Sequence, residues 1–185
     1  MKFVEPIREI KKIAAIKKVL ENKRDVLLVT LGINSALRIS DMLKLTVKDV
    51  MQSGKVRDEI TIKENKTGKS KNFPLNESVK KAIEAYLFER DVKSEDEPLF
   101  LSRKNGEAIR RGQAHYILSK AGEEIGLDNI GCHSLRKTFG MHVYKKTNNL
   151  ALVQKLLNHS SSEVTLRYLG IEKKQLDDVY LDLNL

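Results

Sequence analysis

The stretch "DVLLVTLGINSAL", Asp25 to Leu37, carries a near-continuous apolar run. A helix on a protein surface shows one apolar stripe and a polar back, whereas a helix that is apolar all round must be enclosed. This segment is therefore predicted to be a helix buried on most sides. It leads directly into Arg38, set in "SALRISDML" between two apolar stretches. A guanidinium in such a place is costly unless it finds partners, and Asp41 is the nearest acidic residue that follows it.

The flanking sequence is mostly helical in period. "IREIKKIAAIKKVLE", Ile7 to Glu21, repeats apolar residues at helical spacing with lysines between them. After Arg38, Ser40 is expected to cap a short helix, and "TVKDV" to form a further turn. The period then changes. From Asp58 to Leu75, the β-branched Ile60, Thr61 and Ile62, a polar turn with Gly68 and an extended run into Phe73 and Pro74 predict a hairpin. An amphipathic helix should start at Ser78, and "EPLFLS" reads as a short strand or buried anchor. Further helices are expected at Gln113–Ile125, Ser134–Lys145, Leu150–Asn158 and Glu163–Leu169, before a tail from Glu172 to Leu185. The fold class is mainly α with a small antiparallel β-sheet (α+β). No repeat or composition break divides the chain, so residues 1–185 are expected to form one domain.

Charge narrows the partner. Thirty-four Lys and Arg against 25 Asp and Glu give a net +9, which suits a polyanion such as nucleic acid. No apolar run approaches the roughly 20 residues that span a bilayer, and "MKFVEPIREI" turns charged too early for a signal peptide. These features predict a cytoplasmic protein with no membrane partner. The one cysteine, Cys132, precludes an internal disulfide and is expected to pack as a small apolar group.

Several chemistries lack their motifs. GxxxxGK[ST], GxGxxG, HExxH and GxSxG are absent, and His115, His133, His142 and His159 have no metal-ligand spacing. What remains is a set of phosphate-suited groups. Arg38 follows the enclosed helix, and Lys66 and Lys69 sit in the turn "NKTGKSK". His133 and Arg136 lie three apart in "GCHSLRKTFG", hence on one helical face, and "LLNHSSSEVTLRYLG" sets His159 nine residues before Tyr168. Each alone has an ordinary structural reading. Together, on a basic chain, they form a pattern.

That pattern closely resembles the catalytic domain of the tyrosine recombinases, or phage integrase family. It rests on "LRISDML", on Lys66 eight residues before Pro74, on "HSLRKTFG" and on "LLNHSSSEVTLRYL", and it runs from about Glu5 to the end. Asn158 stands where glycine is usual and Cys132 where proline is common. The resemblance implies the family's catalytic-domain fold and strand cutting and rejoining through a 3′-phosphotyrosyl intermediate, with no cofactor, ATP or metal. By the same resemblance, Arg38 and Arg136 clamp the phosphate, and Tyr168 is the nucleophile. His133 accepts the proton, His159 hydrogen-bonds the phosphate or the intermediate, and Lys66 is the general acid, with Lys69 the alternative and Lys71 in the same turn. The partner is double-stranded DNA, bound by a homo-tetramer on paired sites that is weakly associated or monomeric when off DNA. The tail, about 171–185, is expected to dock either on a neighbour or on its own domain; Tyr180 within it ranks below Tyr168 as nucleophile. The family's usual N-terminal core-binding domain has no counterpart here, which points to a short member or a catalytic-domain fragment. Two other readings are a DNA-binding regulator without chemistry and a type IB topoisomerase.

Overall fold

Helix α1 (Ile10–Val19) precedes α2 (Lys23–Ser35), and α2 is the enclosed helix. Leu27, Leu28, Val29 and Leu31 have no exposed surface, and even Arg24, Asp25, Thr30 and Ser35 are buried. Asn22 starts this helix by accepting the Asp25 N–H at 3.0 Å, and Ala36 ends it in the left-handed region at φ 56°. The structure, a computed structural model, describes residues 4–64, 68, 70–104, 106–170 and 181–182. These fall into two compact units, Met1–Phe139 and Gly140–Leu185.

In the first unit, α2 is followed by α3 (Ile39–Met42) and α4 (Val47–Val50). Strands β1 (Met51–Gln52) and β2 (Lys55–Val56) then pair in a tiny hairpin. The larger hairpin joins β3 (Glu59–Lys63) to β4 (Ser70–Pro74), with Ile60 opposite Phe73 and Ile62 opposite Lys71. Helix α5 (Glu77–Phe88) packs on α2, and α6 (Arg111–Glu124) packs on α1. Helix α7 (Cys132–Thr147) starts in this unit; its residues from Gly140 belong to the second. The second unit adds α8 (Leu150–Leu157) and α9 (Ser162–Leu169), which pack on each other. Gly140 lets Leu157 come close, since a Cβ there would lie 3.0 Å from its Cδ1.

The expected class, mainly α with small antiparallel sheets, is what forms. Boundaries shift where tertiary hydrogen bonds intervene. Ile7 is extended rather than helical, because its buried N–H donates to Thr138 Oγ1 at 2.8 Å. Ser40 lies inside α3, whose N-cap is Arg38. Helix α5 begins at Glu77, capped by Asn76, and α7 begins at Cys132, with Ser134 Oγ accepting the Gly131 N–H at 3.0 Å. The β1–β2 turn escaped the sequence reading. Its signal is "SG" at Ser53 and Gly54, both at positive φ as a tight hairpin requires. "EPLFLS" is the anchor, with Leu99 and Phe100 fully buried. Among the described residues no helix is long and apolar enough to cross a membrane.

One contact sets α7 against α2. A Cβ on Gly32 would lie 2.4 Å from Leu135 Cδ1 and 3.0 Å from Leu135 Cβ, so no larger residue fits at this spacing. Gly32→Ala should therefore be destabilising. Overpacking of this kind costs about 1–3 kcal/mol, against up to about 1 kcal/mol returned by alanine's helix preference. Denaturant unfolding reads the net change, and an unchanged or higher midpoint would contradict the contact.

Candidate active site

The site in the first unit is built on the four residues that leave α2. The last carbonyls of a helix have no partner within it. Here two are taken by cations from elsewhere: Lys71 of β4 donates to the Ser35 carbonyl at 3.3 Å, and Arg136 of α7 donates to the Ala36 carbonyl. Leu37 N–H turns back to Ser35 Oγ. Ala36 is left-handed and Arg38 extended, so the chain turns sharply just before the arginine. The Arg38 guanidinium then pairs with Glu64 at 3.1 Å; the Glu64 side chain is 1% exposed and that of Arg38 18%. Arg136 is buried as well.

Strand geometry explains how a carboxylate and an ammonium reach this place. Side chains alternate along a strand, so Ile60 and Ile62 face inward and Glu64, just past β3, continues that face. On β4 the same alternation turns Phe73 and Lys71 inward, with the Lys71 amine 5.9 Å from the Phe73 ring centre. The inner face of the hairpin thus changes from apolar to charged as it approaches its tip.

The charges act on each other. Burial lowers the Lys71 pKa to about 8, helped by Arg136 and Arg38 and opposed by Glu64 and Asp41. His133, one turn before Arg136, also has a lowered pKa, through burial first and then the charges of Arg111, Arg136, Lys137 and Arg38. At neutral pH its imidazole is uncharged and able to accept a proton. Cys132 beside it packs as expected, and burial raises its thiol pKa.

In the second unit, α8 ends on Asn158 in the left-handed region at φ 50°, which asparagine tolerates better than most residues. His159 follows, its N–H donating to the Gln154 carbonyl at 3.0 Å. His159 Nδ1 lies 3.1 Å from Thr165 Oγ1. Ser161 caps α9 by accepting the Val164 N–H, and Tyr168 lies in the last turn of that helix. The Tyr168 ring meets the His159 ring edge-on, centres 4.9 Å apart at 75°, and its hydroxyl oxygen is buried.

Of the six residues singled out in the sequence, Arg38, His133 and Arg136 lie in the first unit and His159 and Tyr168 pair in the second. Lys66 falls outside the described residues, as do Lys69, Tyr180 and all of the tail but 181–182. Glu64 was missed. Its signal is the two-residue period of "ITIKE", which places it on the strand's buried side. Among the described residues, no three of His, Cys, Asp or Glu gather as metal ligands would.

The sequence profile of the phage integrase family matches residues 7–175. The chain is 46% identical over 175 residues to a probable integrase/recombinase, YoeC, of Bacillus subtilis (strain 168), covering 94% of this chain and 93% of that one. It is 29% identical over 167 residues to the tyrosine recombinase XerC of Thermodesulfovibrio yellowstonii, covering 85% of this chain and 54% of that protein. The solved XerH site-specific recombinase bound to palindromic difH substrate, a post-cleavage complex, matches with TM-score 0.73 and 25% identity over 96% of this chain and 52% of that one. The catalytic domain of bacteriophage HP1 integrase shares the fold, at TM-score 0.60 and 19% identity over 98% of this chain and 96% of that one. The chain thus spans nearly all of YoeC but about half of XerC and XerH.

His133 offers a direct check. Its midpoint should fall below the ordinary histidine value of 6.5 in an NMR titration, and Arg111→Ala should raise it only part of the way, because burial is the larger cause. Since the unfolded chain takes up this proton first, the protein should lose stability as pH falls below 6.5 through the folded midpoint. A midpoint at or above 6.5 contradicts this.

Proposed function

The chain belongs to the phage integrase family, the tyrosine-type site-specific recombinases, and we propose on that footing that it cuts and rejoins DNA through a covalent 3′-phosphotyrosyl link. One observation carries the reading. Two guanidiniums meet at one short segment after α2, Arg38 as part of it and paired with Glu64, Arg136 donating to its Ala36 carbonyl, beside an imidazole kept neutral.

Attack on a phosphodiester builds negative charge on its non-bridging oxygens, and planar guanidinium forks match that charge in shape and sign. Arg38 and Arg136 take this role. A tyrosine hydroxyl has an ordinary pKa near 10, so attack at neutral pH needs a base. The Tyr168 oxygen bonds to phosphorus while its proton passes to His133, and His159 hydrogen-bonds the phosphate. The bond from phosphorus to the 5′-oxygen breaks, and Lys66 gives that oxygen a proton. The reverse reaction with another strand's 5′-hydroxyl reseals the backbone. Its energy is held in the phosphotyrosyl bond, so ATP is not required, and the arginines supply the positive charge that a metal would.

Double-stranded DNA is the proposed partner, supported by the net +9 charge and by similarity to the XerH recombinase bound to its difH substrate. Exchange between two duplexes calls for four active tyrosines, hence a homo-tetramer assembled on paired sites. The chain would work in the cytoplasm, at the nucleoid.

Tyr168→Phe should abolish covalent capture of a nicked suicide substrate while DNA binding persists; capture by this variant removes Tyr168 from the mechanism. Arg38→Ala and Arg136→Ala should each slow cleavage by about 100-fold or more, as loss of a transition-state donor does. Tight binding with no adduct in the unaltered protein would favour a regulator, and site-independent relaxation of supercoils a topoisomerase. DNA affinity should also fall steeply with salt, because phosphate contacts release counterions. A flat response would argue against a basic DNA-binding face.

A further inference from the structure

Glu64 has no part in the reaction just described, yet it lies enclosed next to the phosphate clamp. A carboxylate there works against the clamp, since its charge opposes the phosphate that Arg38 must hold. Sinking it out of water is also costly unless its partners are good. Its return must lie in geometry.

Two contacts leave this residue in different directions. Its side chain meets Arg38 at 3.1 Å, and its carbonyl accepts the Gly68 N–H at 2.8 Å. The Glu64 backbone is thus tied to that of Gly68, four residues on. From the other strand, Lys71 reaches the Ser35 carbonyl at 3.3 Å, three residues before Arg38. Each strand of the hairpin thus sends one charged side chain to the segment that presents Arg38. The face below them, Ile60 with Phe73, is apolar and gives no such directional hold.

We propose that Glu64 is a positioning residue that sets the tip of the β3–β4 hairpin in register with the Arg38 clamp, with Lys71 as the second tie. The assignment rests on Lys66 as proton donor. It makes a specific demand: loss of Glu64 should harm delivery of the proton to the leaving 5′-oxygen more than it harms the grip on the non-bridging oxygens.

Replacing the bridging 5′-oxygen of a suicide substrate with sulfur separates the two effects. A thiol has an ordinary pKa near 8.5, so a thiolate departs without a general acid, whereas an alkoxide does not. Glu64→Leu keeps the bulk and removes the acceptor. Single-turnover cleavage of the oxygen substrate should fall by about 100-fold, the scale of a misplaced catalytic group. The sulfur substrate should be cleaved near the rate of the unaltered protein. Equal loss on both substrates means that Glu64 serves the clamp or the fold alone, and overturns the proposal, as does no loss on either. If Glu64→Leu does not fold, Lys71→Met cuts the second tie with Glu64 in place, and the same selective loss is required of it. Lys66→Ala is judged separately. If sulfur fails to restore its cleavage, Lys66 is not the donor, while selective restoration of Glu64→Leu still assigns proton delivery to the hairpin.

Discussion

A guanidinium carries its charge at any pH a cell reaches, and removing it from water costs several kcal/mol unless anions or carbonyl oxygens surround it. Arg136 is buried and Arg38 nearly so, and much of the first unit can be understood as the means of satisfying them. The enclosed α2 delivers its unpaired carbonyls to a fixed point. Gly32 allows Leu135 to close in, which brings the turn of α7 carrying Arg136 onto those carbonyls. The hairpin supplies Glu64 on one strand and Lys71 on the other. Each of these elements has its own packing reason, but they coincide on four residues, Ser35 to Arg38.

Much of this was legible in the sequence because two periods are unambiguous there. The near-continuous apolar run of α2 calls for enclosure, and the alternation around Ile60 calls for a strand. The reactive residue types, in their order, pointed to the phage integrase family, which the family match over residues 7–175 shows. The helix starts were less legible. Ile7 leaves its expected helix for a hydrogen bond to a residue 131 positions away, and Ser40 falls inside α3, which starts at Ile39 with Arg38 as its N-cap. Sequence proximity points Arg38 toward Asp41; strand register adds Glu64, which no local rule brings near. Reading the strand from Ile60, Thr61 and Ile62, with a polar turn after it, passes over Glu64, still on the buried face of the strand.

The departure at Asn158 also has a physical reason. The corner between α8 and α9 needs a left-handed residue so that His159 can enter with its N–H on the Gln154 carbonyl. Glycine meets that need without cost, and asparagine is among the few side chains that also do so. What the corner fixes is a backbone angle, and the His159–Tyr168 pair across it is compatible with either residue.

The two carbonyls at the end of α2 have a last consequence. A helix concentrates partial negative charge at its final turn, amounting to about half an electron. Such an end, pointed at a DNA backbone, would push the strand away at the moment of docking. Lys71 and Arg136 sit on those oxygens before any DNA arrives. An incoming strand would therefore meet a helix pole already covered by cations, with the Glu64 carboxylate paired to Arg38.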